Sequence, residues 1–196
     1  MPAGRPRKFD ETAVLDAAVR LFRRDGFARA SVAALCRETG LATQSLYNTF
    51  GDKAALYQRA MDHYGQCANG PIIDELIATP DPIEALRTFI KNWKRHRGAT
   101  ADYGCLCTQA LASAADDGPG AEACTARRYT IRLRDALRAR AKQAHDNGQL
   151  LPDVNPIALA DSLLTTAFGI AVIGRGGLPA TMIAHAIAQA LSSLAA

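Results

Sequence analysis

One glycine between two short amphipathic stretches constrains this chain more than any other residue. It is Gly40, in Ser31-Val-Ala-Ala-Leu-Cys-Arg-Glu-Thr-Gly-Leu-Ala-Thr-Gln-Ser-Leu-Tyr-Asn-Thr-Phe-Gly-Asp-Lys53. Ser31 suits the N-cap of a helix in which Val32, Leu35 and Cys36 recur at helical spacing as the buried stripe. Gly40 supplies the left-handed residue that ends this helix and turns the chain sharply. In the helix that follows, Leu41 and Leu46 point inward, while Ala42, Thr43, Gln44, Ser45, Tyr47 and Asn48 face out. A solvated helix face usually carries Glu and Lys, but this one is short, hydrogen-bonding and uncharged. Such side chains suit a helix lying in a DNA major groove, where short donors and acceptors must come close to base edges. The segment reads as a helix-turn-helix.

Those residues resemble the N-terminal domain of the TetR family of transcriptional repressors. The resemblance rests on the turn Gly40, the Leu46-Tyr47 pair of a recognition helix, the aromatic Phe50 and the following Lys53. It runs from about Phe9 to about Met61, and beyond that only length and helical character fit. Asn48 stands where family members often carry a His or another polar group. The resemblance implies a homodimeric repressor, released from double-stranded operator DNA by a small-molecule inducer.

Composition agrees with one DNA-binding module plus one larger helical domain. The chain has 196 residues, 48% of them hydrophobic, with Ala favoured over β-branched types, which suits helix. The expected fold is all-α, with about nine helices. A basic arm and helix-turn-helix DNA-binding domain spans 1–53, and a ligand-binding and dimerisation domain spans 54–196. The net charge of +4 is modest, but residues 1–53 hold nine Lys or Arg against six Asp or Glu. Five cysteines, an odd number with no secretory signal ahead of them, suggest a reducing cytoplasm rather than a disulfide framework. No apolar run approaches the roughly 18–20 residues of a membrane span, so no membrane partner is expected.

An enzyme is the rival class. The chain has no phosphate-cradling Gly loop, no Gly-x-Ser-x-Gly elbow and no His-Glu-x-x-His, and His63, His96, His145 and His185 are scattered singly. No catalytic residue, metal site or cofactor is expected. A helical DNA-binding protein without any ligand remains a second alternative.

Along the chain, Arg5, Arg7 and Lys8 sit in a Pro- and Gly-broken arm, which suits either a minor-groove or phosphate contact or a disordered tail. Asp10 should cap a helix with the core stripe Val14, Leu15, Ala18, Leu21 and Phe22, ended by Gly26. A helix capped at Gly51 or Asp52 should run through Leu56, Tyr57, Ala60 and Met61 to Asn69-Gly-Pro71, a candidate domain joint, although the family resemblance implies that this helix passes into the second domain without a flexible linker. Further helices should start at Pro82, near Gly104-Cys-Leu-Cys107, at about Ala121, after Pro156 and after Pro179. The helix from Ala121 to Asn147 should bury Thr130, Ile131, Leu133 and Leu137 opposite an Arg-rich face. That face (Arg127, Arg128, Arg132, Arg134, Arg138, Arg140, Lys142) reads as solvated and ion-paired, or else as a second nucleic-acid surface.

The last two helices carry apolar residues around most of their circumference. The first includes Ile157, Leu163, Leu164, Phe168 and Val172, and the second includes Met182, Ile183, Ile187, Leu191 and Leu194. Two such helices from each protomer suit a two-fold four-helix interface, with burial inside one domain as the alternative. Ser31, Tyr47 and Lys53, with the basic arm, are expected on phosphates, and Thr43, Gln44 and Ser45 on base edges, flanked by Ala42 and Asn48. Trp93, His96, Tyr103, Cys105, Tyr129 and Phe168 are the candidate lining of an inducer cavity, or ordinary core. For Cys105 and Cys107 three readings stand: core packing, an electrophile- or redox-sensing thiol beside Lys94, Arg95 and Arg97, and a metal ligand.

Overall fold

The computed structural model describes residues 9–93, 103–113 and 121–194. Among them the regular structure is entirely helical. Helix α1 (Glu11–Arg29) begins at Asp10, whose carboxylate accepts the Thr12 N–H at 2.9 Å, and it bends at Gly26, where φ is +78°. Its Val14, Leu15, Ala18, Leu21 and Phe22 are buried as their spacing requires. Helix α2 (Val32–Thr39) is capped by Ser31 through the Ala34 N–H at 3.1 Å and closed by Gly40 at φ +71°. Then come α3 (Thr43–Phe50) and α4 (Lys53–Tyr64), the latter capped by Asp52.

The chain does not break at Asn69-Gly-Pro71. Instead α4 widens into a π turn over Gly65–Asn69 and continues as α5 (Gly70–Ala78), with Pro71 directly after the widening. The candidate joint is therefore a continuous helical rod, the alternative that the resemblance implied. At the start of this turn α8 comes so close that a Cβ at Gly65 would overlap the Tyr129 ring. Helix α6 (Pro82–Asn92) follows, capped by Asp81, and then α7 (Leu106–Ser113), α8 (Ala121–Asp146), α9 (Pro156–Arg175) and α10 (Ala180–Ser192). With α4 and α5 taken as one rod, the described residues form nine helices.

Two apolar cores result. The first joins α1–α4 to Cys105, Leu106, Cys107 and Ala110 around α7, to Ala126 and Tyr129 of α8, and to Ala171 of α9. The second fills the space between α5, α6, α8, α9 and α10. Along α8, Leu133 and Leu137 are buried as expected, but Ile131 is 46% exposed and belongs to the outer face. The Arg-rich face is ion-paired in part. Arg128 meets Asp62 at 2.8 Å, Arg138 meets Asp161 at 2.8 Å through Nε, and Lys142 meets Asp146 at 2.6 Å. The Arg138 guanidinium holds the Asp161 carboxyl below the usual carboxylate range, and Lys142 does the same for Asp146.

Helix α9 corrects one expectation. Its 20 residues, with a mean hydropathy of 1.8, are long and apolar enough to cross a membrane by length and composition. The Ala and Gly within it obscured the run in the sequence. In the fold this helix packs Leu159, Ala160, Leu163, Leu164, Ala167, Ile170 and Ala171 inward.

Candidate nucleic-acid interface

The α2–α3 pair sorts its side chains as the sequence suggested. Leu35, Leu46 and Phe50 are buried, Leu41 is half-buried, and Ala42, Thr43, Gln44, Ser45, Tyr47 and Asn48 are all exposed. One helix face is thus committed to the core, leaving an uncharged polar face free. Gln44 donates from Nε2 to Asn48 Oδ1 at 3.0 Å, one turn along, which orients both amides outward on a single ridge. Thr43 Oγ1 lies 3.5 Å from Cys36 Sγ, tying the start of α3 to α2. Ala42 provides no side-chain cap, so the leading N–H groups of α3 lack the side-chain acceptor that Ser31 gives α2 and Asp52 gives α4.

The flanking groups are positioned by α1. Lys53, at the start of α4, donates from Nζ to the Phe27 carbonyl at 3.0 Å and stands 4.4 Å from the centre of the Phe27 ring. The Ser31 hydroxyl accepts from Ala34, so its own proton is free to point outward. Arg24 is taken up by Asp25 and Glu38, both at 2.9 Å, and the guanidinium pushes the Asp25 carboxyl down. Arg59 pairs with Glu11 across α1 and α4. Arg5, Arg7 and Lys8 lie outside the described residues.

Residues 14–60 match the family described as bacterial regulatory proteins, tetR family. Across nearly its whole length the chain also superposes on the TetR family transcriptional regulator CifR, as a cysteine mutant complexed with double-strand operator DNA. The TM-score there is 0.80 and the identity 26%, with 96% of this chain and 99% of that one covered. The chain carries the N-terminal segment of the TetR family and has the fold of TetR-family regulators. A TetR regulator from Agrobacterium tumefaciens, 24% identical over 94% of this chain and 96% of that one, shares the fold with a TM-score of 0.82. Among curated regulators, the uncharacterised YezE of Bacillus subtilis is 33% identical over 45% of each chain. The repressor BdcR of Escherichia coli is 30% identical over 56% of each. The matches thus span about half the length of these curated relatives.

This TetR-family head is locked to the rest of the chain by residues that the sequence did not single out. Arg23 is buried, at 4% exposure, and donates Nε and Nη2 to the Gly104 carbonyl at 3.0 and 2.8 Å, beneath the Tyr64 ring. Gln109 of α7 donates to the carbonyls of Arg23 and Tyr103 at 3.1 and 3.0 Å. Arg175 at the end of α9 donates to the same two carbonyls and to that of Arg24. Gly104 is required here on two counts: its φ is +73°, and a Cβ would press on the Ala171 carbonyl at 3.0 Å. In the pair Arg23-Arg24 either residue reads as a surface cation, so nothing local marks Arg23 as buried. Beside this joint lies a cavity of about 410 Å³ lined by Phe27, Tyr57, Gln109, Ala110 and Arg175, among others.

The six candidate inducer residues are not brought together. Trp93 and Phe168 meet, with ring centres 6.1 Å apart, in the second core. Cys105 and Tyr129 belong to the first, where the Tyr129 hydroxyl donates to the Asp62 carbonyl at 3.3 Å. Tyr103 is half-buried at the head joint, and His96 lies outside the described residues. Cys105 and Cys107 are both buried, with Tyr64 Oη 3.7 Å from Cys105 Sγ and Asn69 Nδ2 3.4 Å from Cys107 Sγ.

Proposed function

We propose that the chain is a homodimeric, DNA-binding transcriptional repressor that a small-molecule inducer releases from its operator. The observation that carries this reading is the exposed polar face of α3, held by buried Leu46 and Phe50. Thr43, Gln44 and Ser45 meet base edges: the Gln44 amide suits adenine, and the Thr43 methyl suits a thymine methyl. Ser31, Tyr47, Lys53 and the basic arm hold phosphates and set register, and Ala42 and Asn48 border the reading face. The uncapped start of α3 favours a phosphate nearby, since open N–H groups and the helix dipole both attract anions.

Two heads must meet successive major grooves about 34 Å apart, which needs a second copy of the chain. The outward side chains of α9 and the α9–α10 turn supply a surface for it. Val172 is 60% exposed, Leu178 51% and Met182 46%, an apolar strip beside helices already packed inward. An inducer acts only by its difference in affinity between the DNA-fitting arrangement of heads and the others. In this reading residues 1–53 form the DNA-binding unit, and 54–196 bind ligand and dimerise in the cytoplasm. The burial of Cys105 supports a packing role for it over a sensing one.

The test is binding of the chain to its upstream DNA together with selection from randomised sites. Gln44→Ala should weaken binding by about 1–3 kcal/mol per half-site and relax preference at one base position. An unchanged selection profile would overturn the assignment of the reading face.

A further inference from the structure

A carboxylate, an imidazole and a thiol line up on the surface where α1 meets the end of α4. His63, in the last turn of α4, faces Asp16 of α1, with Nε2 at 2.7 Å from Oδ1. Cys67, four residues on in the π turn, places Sγ 3.7 Å from His63 Nδ1 and 3.8 Å from Nε2, so the sulfur stands against the ring between its two nitrogens. With Nε2–H donated to Asp16, Nδ1 keeps the imidazole lone pair in the ring plane, and the exposed Cys67 side chain reaches it by swinging from the ring face to the ring edge. The His63 side chain is only 13% exposed and Cys67 is exposed, so the base is fixed and the sulfur is reachable. A cavity of about 240 Å³ lined by Leu15, Arg59, Asp62, His63 and Gln66 opens beside it, enough for a small molecule. The arrangement does not converge on a metal position.

We propose that Cys67 is a base-assisted nucleophilic thiol and the site at which small α,β-unsaturated carbonyl compounds alkylate this chain. His63 Nδ1 takes the thiol proton, and Asp16 holds the imidazolium that results. The sulfur lone pair forms a bond to the β carbon while the C=C electron pair moves toward the α carbon and carbonyl. The enolate then takes the proton back from His63. The net change is addition of S–H across the double bond, with no oxidant or reductant. The other thiols are placed differently. Cys105 and Cys107 are buried, Cys36 is half-buried against Thr43, and Cys124 is exposed on α8 and serves as the comparator. The assignment does not depend on the repressor reading.

The test treats the whole chain with less than one equivalent of N-ethylmaleimide and maps labelled peptides over time by mass spectrometry. Cys67 should be labelled first, ahead of Cys124. His63→Gln should slow Cys67 by about tenfold or more while leaving the Cys124 rate and the helical circular dichroism unchanged. Asp16→Asn should slow it less. A wild-type Cys67 no faster than Cys124, or a ratio untouched by His63→Gln in a folded protein, would overturn the proposal.

Discussion

Gly65→Ala tests whether the π turn exists because α8 needs room. On helix propensity alone the change should stabilise the rod by about 1 kcal/mol. The structure gives the opposite sign, because the new Cβ would lie 2.0, 2.2 and 2.5 Å from Cε2, Cζ and Cδ2 of Tyr129. An ordinary contact of 3.4 Å requires a retreat of roughly 1.4 Å. Tyr129 is 6% exposed and its hydroxyl is spent on Asp62, so that retreat would disturb the first core and strain a 3.3 Å hydrogen bond. Overpacking of this kind costs about 1–3 kcal/mol, against which the propensity gain offsets about 1. The net expectation is a destabilisation of up to about 2 kcal/mol, read as a Tm lower by as much as roughly 4–8 °C in a chain this long. Thermal unfolding at fixed chain concentration is the assay, since the proposed dimerisation would make Tm depend on concentration. In a Tyr129→Ala background the same Gly65→Ala change should turn stabilising. A wild-type background in which Gly65→Ala is stabilising would refute the packing account.

Lys53→Ala should weaken binding to all DNA sequences alike and flatten the dependence on salt, as loss of a phosphate contact does, in a salt titration against operator and random duplexes. Val172→Glu should yield a folded monomer that has lost operator affinity, because Val172 is exposed in the protomer. Leu164→Glu should misfold instead, since Leu164 is already 8% exposed inside one chain. Light scattering with circular dichroism separates the two outcomes, and a wild-type monomer at micromolar concentration would sink the dimer. The Asp81 carboxyl is held below its usual 3.8 by the Glu84 N–H first, then by the Ile83 N–H, Gln149 and Arg140. Its folded value is depressed, so its contribution is present above about pH 4 and fades as pH falls through that lower value. Asp81→Asn keeps a cap that does not titrate and should leave Tm at pH 7 nearly unchanged while softening the acid loss in a pH series of melts.

The helix-turn-helix was legible because it is written in local terms. Ser31, Gly40 and Asp52 are caps or turn residues whose chemistry acts within four positions, and Leu35, Leu46 and Phe50 follow a helical period. The outward set of α3 was legible for the same reason. Where the reading missed, a distant partner overrode a local signal. Asn69-Gly-Pro71 carries the local marks of a stop, and only the family resemblance pointed to a helix that runs on through it. Ile131 sits next to Leu133 but one face over, a difference that a stripe containing Thr130 conceals. The candidate inducer residues divide between two cores because aromatic residues at helical spacing show only that they are buried, not against which neighbours.

Arg23 shows the same limit where it matters most for the proposed function. Its two donors reach a carbonyl 81 residues away, and its own carbonyl receives Gln109 of α7 and Arg175 of α9. The end of α1 is therefore held by polar bonds to α7 and α9, while α4 and the π turn pack against Tyr129. Buried polar bonds of this kind have few geometries that satisfy every group, since leaving a carbonyl or guanidinium unpaired costs about 1–3 kcal/mol or more. Apolar packing alone would let the head slide over α7 at little cost. With the Arg23 clamp, a movement of α7 or α9 is met either by the head moving with it or by losing those bonds. On the repressor reading, that restriction carries a change in the larger domain to the spacing of two recognition helices.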